Sequence, residues 1–273
     1  MHKTGITRQA SISASLVLFN TPQDQIASLL HSVENSQWKI RLIIVDNSPT
    51  NALEQECKGH EYHFMGANLG FGKGHNYAIK QVQSDFHVLL NPDISFEPDL
   101  LDQLITPMLQ DPSVVGCSPK VLYPDGRLQR LTKLLPTPAN LFARRFLPPL
   151  GAVLDYNYEL QWMNPDQRLE LSNASGCFFA FRTAIFKKIN GFDERFFMYM
   201  EDIDLTRRMA QEGRLLYIPE AVVIHAHAKE SYKNKKLLLI HLKSAQLYFS
   251  KWGWFFDKIR KQSNKKILAQ KIK

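Results

Sequence analysis

Apolar and polar positions follow two different rhythms along this chain, and their alternation predicts its architecture. Ile12–Phe19 alternates and then runs apolar, the pattern of a strand. Ile26, Leu29, Leu30 and Val33 recur at helical steps, predicting a helix to about Asn35 with Thr21 as its cap and Pro22 as its first residue. Ile40–Val45 reads as a second buried strand, ending in Asp46-Asn47-Ser48, and Tyr62–Met65 as a short third. A glycine-rich turn from Gly66 to Asn76 leads into a helix containing Ala78, Ile79 and Val82. Phe86–Leu90 is then a buried strand that Pro92 must stop, because proline cannot donate to a central ladder. Strand alternating with helix predicts a mainly parallel sheet with helices on both faces. The polar strand ends at Asn20, Asp46 and Asp93 then gather at one sheet edge, where open α/β sheets take their ligands.

The second half is less regular. Pro98–Leu109 predicts a helix, Val114–Ser118 a strand, and Pro124-Asp125-Gly126 a turn. Residues 134–150, with Pro136, Pro138, Pro148 and Pro149 around Arg144 and Arg145, read as an irregular connection over the active face, and 151–171 shows no clear period. Cys177–Phe181 is a late strand and Thr183–Ile189 a short helix. An aromatic run, Phe196–Met200, precedes a helix from Asp202 to Gly213. Leu215–Ile218 and Val222–Ile224 are short strands ending at His225. Leu238, Leu242, Ala245, Phe249, Trp252 and Phe256 then repeat at three- and four-residue steps, an amphipathic helix. The expected organisation is a leader over 1–11, one domain over 12–228 divided at about 118, and a helical tail over 229–273.

Composition refines this picture in two places. The 273 residues are 44% hydrophobic, enough for a sizeable core. The net charge of +8 is unevenly distributed: residues 229–273 hold thirteen Lys/Arg against Glu230 and Asp257, which leaves the body slightly acidic. A nucleic-acid footprint over the whole domain is thereby excluded, and no nucleic-acid partner is expected. Cys57, Cys117 and Cys177 stand far apart, without metal-like spacing, as expected of buried thiols in a reducing compartment. No run of eighteen apolar residues predicts a spanning helix, and none resembles a signal peptide.

Candidate chemistry lies at four places. Asn91-Pro92-Asp93 is ordinary turn chemistry, or a hard oxygen ligand for Mg²⁺ or Mn²⁺ at a strand end. Glu201-Asp202-x-Asp204 either complements a helix N-terminus or, beside Phe196, Phe197 and Tyr199, supplies a partly desolvated base. His225, more than His227, is a candidate co-ligand for Asp93. The loop Asn68–Asn76 is glycine-rich like a phosphate cradle, yet fits neither GxGxxG nor a Walker loop, so its glycines can equally serve the turn. The basic tail suits a solvated helix, a nucleic-acid arm or a membrane-surface helix, and Trp252, Trp254, Phe255 and Phe256 beside lysines favour an anionic membrane surface.

These motifs form an ordered set: Val-Leu-Phe-Asn (17–20), Val-Asp-Asn-Ser (45–48), Asn-Leu-Gly-Phe-Gly-x-Gly-x-Asn (68–76), Leu-Leu-Asn-Pro-Asp (89–93), Ser-Gly (175–176), Gly-Phe-Asp-Glu (191–194), Phe-Phe-Met-Tyr-Met-Glu-Asp-Ile-Asp-Leu (196–205) and a proline six residues before His225. The set resembles the inverting family-2 glycosyltransferases of the GT-A fold, most closely their bacterial rhamnosyltransferase branch, over roughly residues 12–250. The resemblance implies a Rossmann-like, mixed but mainly parallel sheet. It implies that Phe19, Asn20 and Asp46 hold base and ribose, and that Asn68, Gly70, Gly72, Lys73, Asn76 and Asn91 line the nucleotide-sugar pocket. Asp93 and His225 would hold Mg²⁺ or Mn²⁺, Asp202 would be the base with Glu201 its neighbour, and Ser175, Gly176 and Trp162 would lie on the acceptor side. The family's Asp-x-Asp is here Asn91-Pro92-Asp93, one carboxylate fewer. The implied donor is dTDP-L-rhamnose and the acceptor a polyprenyl-diphosphate-linked saccharide in O-antigen or related biosynthesis. The enzyme would sit peripherally on the inner face of the bacterial cytoplasmic membrane through residues 233–273. A UDP-hexose donor, a nucleotidyltransferase and a non-catalytic membrane adaptor are the alternatives. Phe19-Asn20-Thr21-Pro22 lacks the Gly-rich basic loop a nucleotidyltransferase needs after its first strand.

Overall fold

A computed structural model describes residues 10–141, 154–226 and 235–272. Its strands are β1 (Ile12–Leu18), β2 (Ile40–Asp46), β3 (Glu61–Phe64), β4 (Phe86–Leu90), β5 (Ile94–Phe96), β6 (Val114–Leu122), β7 (Leu169–Leu171), β8 (Phe178–Arg182) and β9 (Arg214–His225). Its principal helices are α1 (Gln23–Glu34), α2 (Phe71–Ile79), α3 (Leu100–Gln110), α4 (Thr183–Lys188), α5 (Glu201–Met209), α6 (Lys235–Trp252) and α7 (Lys258–Leu268). The sheet runs β3-β2-β1-β4-β8-β6-β9-β5, with β7 on β9. β3, β2, β1 and β4 are mutually parallel, as are β6 and β9, while β8 lies antiparallel between β4 and β6. One continuous sheet therefore joins the two expected halves.

Side-chain alternation on the strands gives the sheet two apolar faces. Leu16 and Leu18 of β1 pack with Leu29 of α1 and Leu104 of α3. Ile43 and Val45 of β2 and Phe179 and Phe181 of β8 pack on the other face with Ala78 of α2 and Leu205 and Met209 of α5. Burying one such side chain contributes about 1.5–3 kcal/mol, so both helical layers are held mainly by this alternation. On the second face β1 presents serines. Ser15 Oγ lies 2.7 Å from His75 Nδ1 and 2.8 Å from His87 Nε2, and Ser13 Oγ lies 2.6 Å from His87 Nδ1. All four residues are fully shut from water.

The α2 helix sits unusually close to that face. A Cβ on Gly74 would stand 2.8 Å from Val17 Cγ2, and one on Gly72 would stand 2.9 Å from Phe192 Cβ. Gly74 is thus required by the packing of the helix on β1, and Gly72 by its packing on the turn that holds Phe192.

Several boundaries differ from the sequence reading. α1 starts at Gln23 with Pro22 as its cap residue, and the Thr21 hydroxyl accepts from Phe19 N–H instead. The two short strands ending at His225 are one strand, irregular where Pro119 and Lys120 of β6 meet Ile218 and Val222. The single tail helix is two, broken at Gly253, whose φ of +103° is left-handed. The tail's apolar side faces the protein, with Ala245, Tyr248 and Phe249 packed on Phe196 and Met200. The α7 segment is latched at two further points. The Asn264 amide makes both backbone bonds of Leu135, each 2.9 Å, and the Gln270 amide makes both of Glu170, at 3.0 and 3.1 Å. The expected leader, Arg144 and Arg145, and the expected boundary at 229 with His227 lie wholly or largely outside the described residues.

Candidate active site

The parallel strands bring three chain ends to one edge. Leu18 of β1 pairs with Asp46, and Leu16 with Leu90. Asn20, at φ +50°, donates its N–H to Ser48 Oγ (2.9 Å), and Asn47 N–H donates to the Leu18 carbonyl (2.9 Å). Phe19 is left half exposed beside this edge. Asp46 does not face outward as the sequence reading expects. It is fully buried, and its two oxygens accept from Ser48 N–H (2.8 Å) and the Tyr62 hydroxyl (2.6 Å). Its job is to shape the Asn47-Ser48 turn.

The glycine-rich loop divides similarly. Asn68 and Lys73 are exposed. Gly70 is buried at φ +85°, where a Cβ would strike the Phe197 carbonyl oxygen at 2.3 Å. Asn76 is turned inward, a departure from its expected place in the pocket. Its amide donates to the Phe192 carbonyl (2.9 Å) and accepts from Phe192 N–H (2.8 Å), pinning the Gly191–Glu194 turn to α2. Gly72 likewise serves packing, not a ligand.

At the end of β4, Asn91 N–H donates to the Cys177 carbonyl (2.9 Å), tying Asn91-Pro92-Asp93 to Ser175-Gly176-Cys177. β5 follows at once and pairs Ile94 with His225, which sets Asp93 Oδ1 3.2 Å from His225 Nε2. Gln129 grips that histidine twice. Its Nε2 donates to the His225 carbonyl (2.6 Å), which fixes the amide's orientation and leaves Oε1 to accept from Nδ1–H (2.9 Å). That pairing assigns the proton to Nδ1 and turns the Nε2 lone pair toward Asp93. An imidazole nitrogen and a carboxylate oxygen aimed at each other, with the outer nitrogen oriented by a second residue, suit a divalent cation. No group of three or more potential ligands is found among the described residues, so the protein would supply two and the remaining positions would fall to other oxygens.

The acidic helix start completes the arrangement. Tyr199 and Met200 are both left-handed, at φ +68° and +66°, and turn the chain into α5. Asp202 Oδ2 accepts from Gly176 N–H (3.0 Å) and Oδ1 from Ile203 N–H (2.8 Å). Burial raises the Asp202 carboxyl above its ordinary range against the pull of those donors. Glu201 is more deeply perturbed. Burial and then the Asp202 charge hold it well above the ordinary range, and its Oε2 has no partner. Asp204 is structural: it is fully buried and bonded to Arg208 (2.9 Å), Lys251 (2.7 Å) and Trp252 Nε1 (2.8 Å). A Cβ on Gly176 would stand 3.3 Å from Asp202 Cβ and 3.1 Å from Phe71, so Asp202 can approach the end of β4 only past a glycine.

Burial lifts the Cys177 thiol to about 12, with the charges of Asp93 and Asp202 adding to the rise. Asp202 is bonded to Gly176 N–H, and Asn91, two residues before Asp93, is bonded to the Cys177 carbonyl, so both carboxylates stand close to the Ser175–Cys177 segment. A small recess of mixed lining borders the segment, with Gln129, Glu159 and Ser175 beside Val121, Leu131 and Met163. The Lys133 ammonium, 3.0 Å from Glu159, partly offsets the rise at Asp202. Trp162 is set back, packed on the second core face with its Nε1 buried and unbonded. Gln129, Lys133 and Glu159 come from stretches where no periodicity singles them out.

Comparison with known proteins places the chain in a family. The profile described as N-terminal domain of galactosyltransferase matches residues 159–232. The chain is 26% identical over 242 residues to the N-acetylglucosaminyl-diphospho-decaprenol L-rhamnosyltransferase of Mycobacterium tuberculosis, covering 81% of this chain and 78% of that one. It is 27% identical over 253 residues to rhamnosyltransferase WbbL of Escherichia coli, covering 86% and 92%. GalNAc-T7 with UDP, GalNAc and Mn²⁺ superposes with a TM-score of 0.62 at 12% identity, over 89% of this chain and 49% of that one. The mannosyltransferase PcManGT of Pyrobaculum calidifontis with GDP-Man and Mn²⁺ superposes with a TM-score of 0.58 at 15% identity, over 97% and 75%. These two share the GT-A fold seen here. The profile of glycosyl transferase family 2 matches residues 13–190, more than half the sequence, and the chain belongs to that family.

Proposed function

We propose that this glycosyltransferase is inverting and metal-dependent, and that it moves L-rhamnose from dTDP-L-rhamnose to a lipid-linked saccharide at the inner face of the bacterial cytoplasmic membrane. The observation that carries the reading is the pair of carboxylates close to Ser175–Cys177: Asp93 aimed at His225, and Asp202 held by two backbone N–H groups. The printed names of the rhamnosyltransferase relatives support the sugar and, for the mycobacterial one, a diphospho-decaprenol acceptor. The Mn²⁺ in both structural neighbours supports Mg²⁺ or Mn²⁺.

In this reading Asp202 takes the proton from an acceptor hydroxyl. That oxygen attacks the anomeric carbon as the bond to the diphosphate breaks, and the configuration inverts. Burial raises both carboxyls but holds Glu201 further above its ordinary range, while two backbone N–H donors favour the ionised form of Asp202, so Asp202 is assigned as the base and Glu201 as its neutral neighbour. Asp93 and His225 would hold a divalent ion, which would supply positive charge to the departing diphosphate. Gln129 orients the His225 ring for that purpose. Phe19, Asn20, Asn68 and Lys73 are assigned to the nucleotide, while Ser175 and Gly176, beside Asp202, are assigned to the acceptor side.

Replacing Asp202→Asn tests the assignment. Transfer falls by about 10²–10⁴-fold, while stabilisation by dTDP with Mn²⁺ in a thermal-shift assay persists. Near-normal turnover removes Asp202 from the role of base. A donor panel with product linkage read by NMR tests the sugar, and turnover with a UDP-hexose in place of dTDP-L-rhamnose overturns it.

A further inference from the structure

The corner between α6 and α7 divides its aromatic residues sharply. Trp252 and Trp254 turn inward. The Trp252 ring lies 4.0 Å from the Arg207 guanidinium while its Nε1 donates to Asp204, and Trp254 packs on Phe249 at 5.2 Å. Phe255 and Phe256 turn outward, 79% and 97% exposed, with Ile259 beside them at 41%. The backbone enforces the division. Gly253 is left-handed, its N–H bonds the Phe249 carbonyl (2.8 Å), and a Cβ there would meet the Phe256 carbonyl oxygen at 2.7 Å. Asp257 then caps α7 through Arg260 N–H (2.9 Å) and holds Arg207 through two 2.7 Å bonds. The two phenylalanines are thus fixed from both sides on a rigid knuckle. Phenylalanine has no polar atom to keep wet, so full exposure has no counterpart in the protein itself.

The surface continuing from the knuckle is cationic. The exposed residues of α7 include Lys258, Lys261 and Lys265, and none of its exposed residues is acidic. Among the described residues no helix is long and apolar enough to cross a membrane, so contact of this kind would be at the surface.

We infer that Phe255 and Phe256 insert into an anionic lipid surface, with Ile259 at the boundary and Lys258, Lys261 and Lys265 over the headgroups. Of the predicted stripe, Ala245, Phe249 and Trp252 face the protein and do not serve this purpose, while Phe256 faces outward. The inference deepens the membrane-surface part of the proposed function, but it is read without turnover and so stands or falls separately.

The test is co-sedimentation of the full chain with phosphatidylglycerol/phosphatidylethanolamine vesicles, against phosphatidylcholine alone. Wild type binds the anionic vesicles, and more tightly at low salt. Phe255→Ser/Phe256→Ser lowers partition by roughly tenfold or more with an unchanged melting temperature, since neither ring touches the core. Lys258→Gln/Lys261→Gln/Lys265→Gln removes the salt-dependent part. Asp202→Asn binds like wild type, which separates loss of transfer from loss of docking. Equal binding by the phenylalanine variant overturns the inference, as does failure of wild type to bind. A concentration-dependent dimer abolished by the phenylalanine variant, without vesicle binding, overturns it in favour of a second copy of the chain.

Discussion

His75 and His87, beneath β1, and Glu201, at the head of α5 beside the half-buried Asp202, are shut away from bulk water, yet the two pairs meet a change of pH in opposite senses. Burial lowers the His75 imidazole to about 3 and holds His87 well below its ordinary value. The same physical cause raises both carboxyls. The half of the sheet that gathers the donor-side strand ends buries bases, and the half that carries the proposed base buries acids. A neutral imidazole must be protonated only in the unfolded chain as pH falls, and a protonated carboxyl must be ionised only in the unfolded chain as pH rises. The acid limb of stability therefore belongs to one region and the alkaline limb to the other. Each can be broken without touching its counterpart.

The largest expected effect is on the acid limb. Above pH 6.5 His75 is neutral in both states and contributes no slope, and from 6.5 down to about 3 the unfolded chain binds a proton that the folded chain refuses. At about 1.4 kcal/mol per pH unit, that window removes about 5 kcal/mol at its acid end. His87 steepens the limb. His75→Phe replaces a ring whose Nε2 has no partner, and Ser15 keeps His87. Urea unfolding of this variant shows a shallower decline below pH 6.5. An unchanged slope breaks the comparison on the donor side.

A smaller effect is expected on the alkaline limb, because the rise at Asp202 is opposed by two N–H donors and Glu201 acts largely alone. Below 4.5 the glutamate is protonated in both states. As pH rises through that value the unfolded chain ionises first, and stability is lost. Glu201→Gln keeps the neutral shape, so it gains on wild type from pH 5 to pH 8, with the gap widening. Urea midpoints across that range check it, and parallel curves break the comparison at α5. The smallest effect sharpens it by contrast. Arg168 and Glu220 pair on the surface, each about half exposed, and Arg168→Ala shifts stability by less than about 1 kcal/mol. That shift is the same at pH 5 and pH 8 and fades at high salt.

The donor half was largely legible because its strands, buried on both faces, write their period directly into the sequence: β1, β2 and β4 fall within a residue or so of their expected bounds. The glycines were legible as glycines but not as to purpose, because Gly72 and Gly74 yield to partners, Phe192 and Val17, that only tertiary structure supplies. β5 and β7 were missed, since three residues carry no period. Asp93, Asp202 and His225 were singled out by their motifs, and the fold sets Asp93 beside His225 and Asp202 beside Gly176. Gln129 was not singled out, because its value lies in a bond to a residue 96 positions away. In the tail the stripe was read correctly as amphipathic, but which side faces water depends on Arg207 and Phe196, far from it in sequence.

The latching of the tail also orders events in time. Arg207 meets Asp257 across 50 residues, Glu170 meets Gln270 across 100, and Leu135 meets Asn264 across 129. A ribosome adds about 5–20 residues per second, so Arg207 is made about 3–10 s before its counterion. During that interval its guanidinium can only remain hydrated, and α5 lacks the cover of Tyr248 and Trp252. β1, β2 and β4 pair wholly within residues 12–90 and so are complete before Asp202 is made, whereas the helix that presents Asp202 is closed by Tyr248, Trp252 and Asp257, all made after it. Its completion has to wait for residues beyond 257 to emerge.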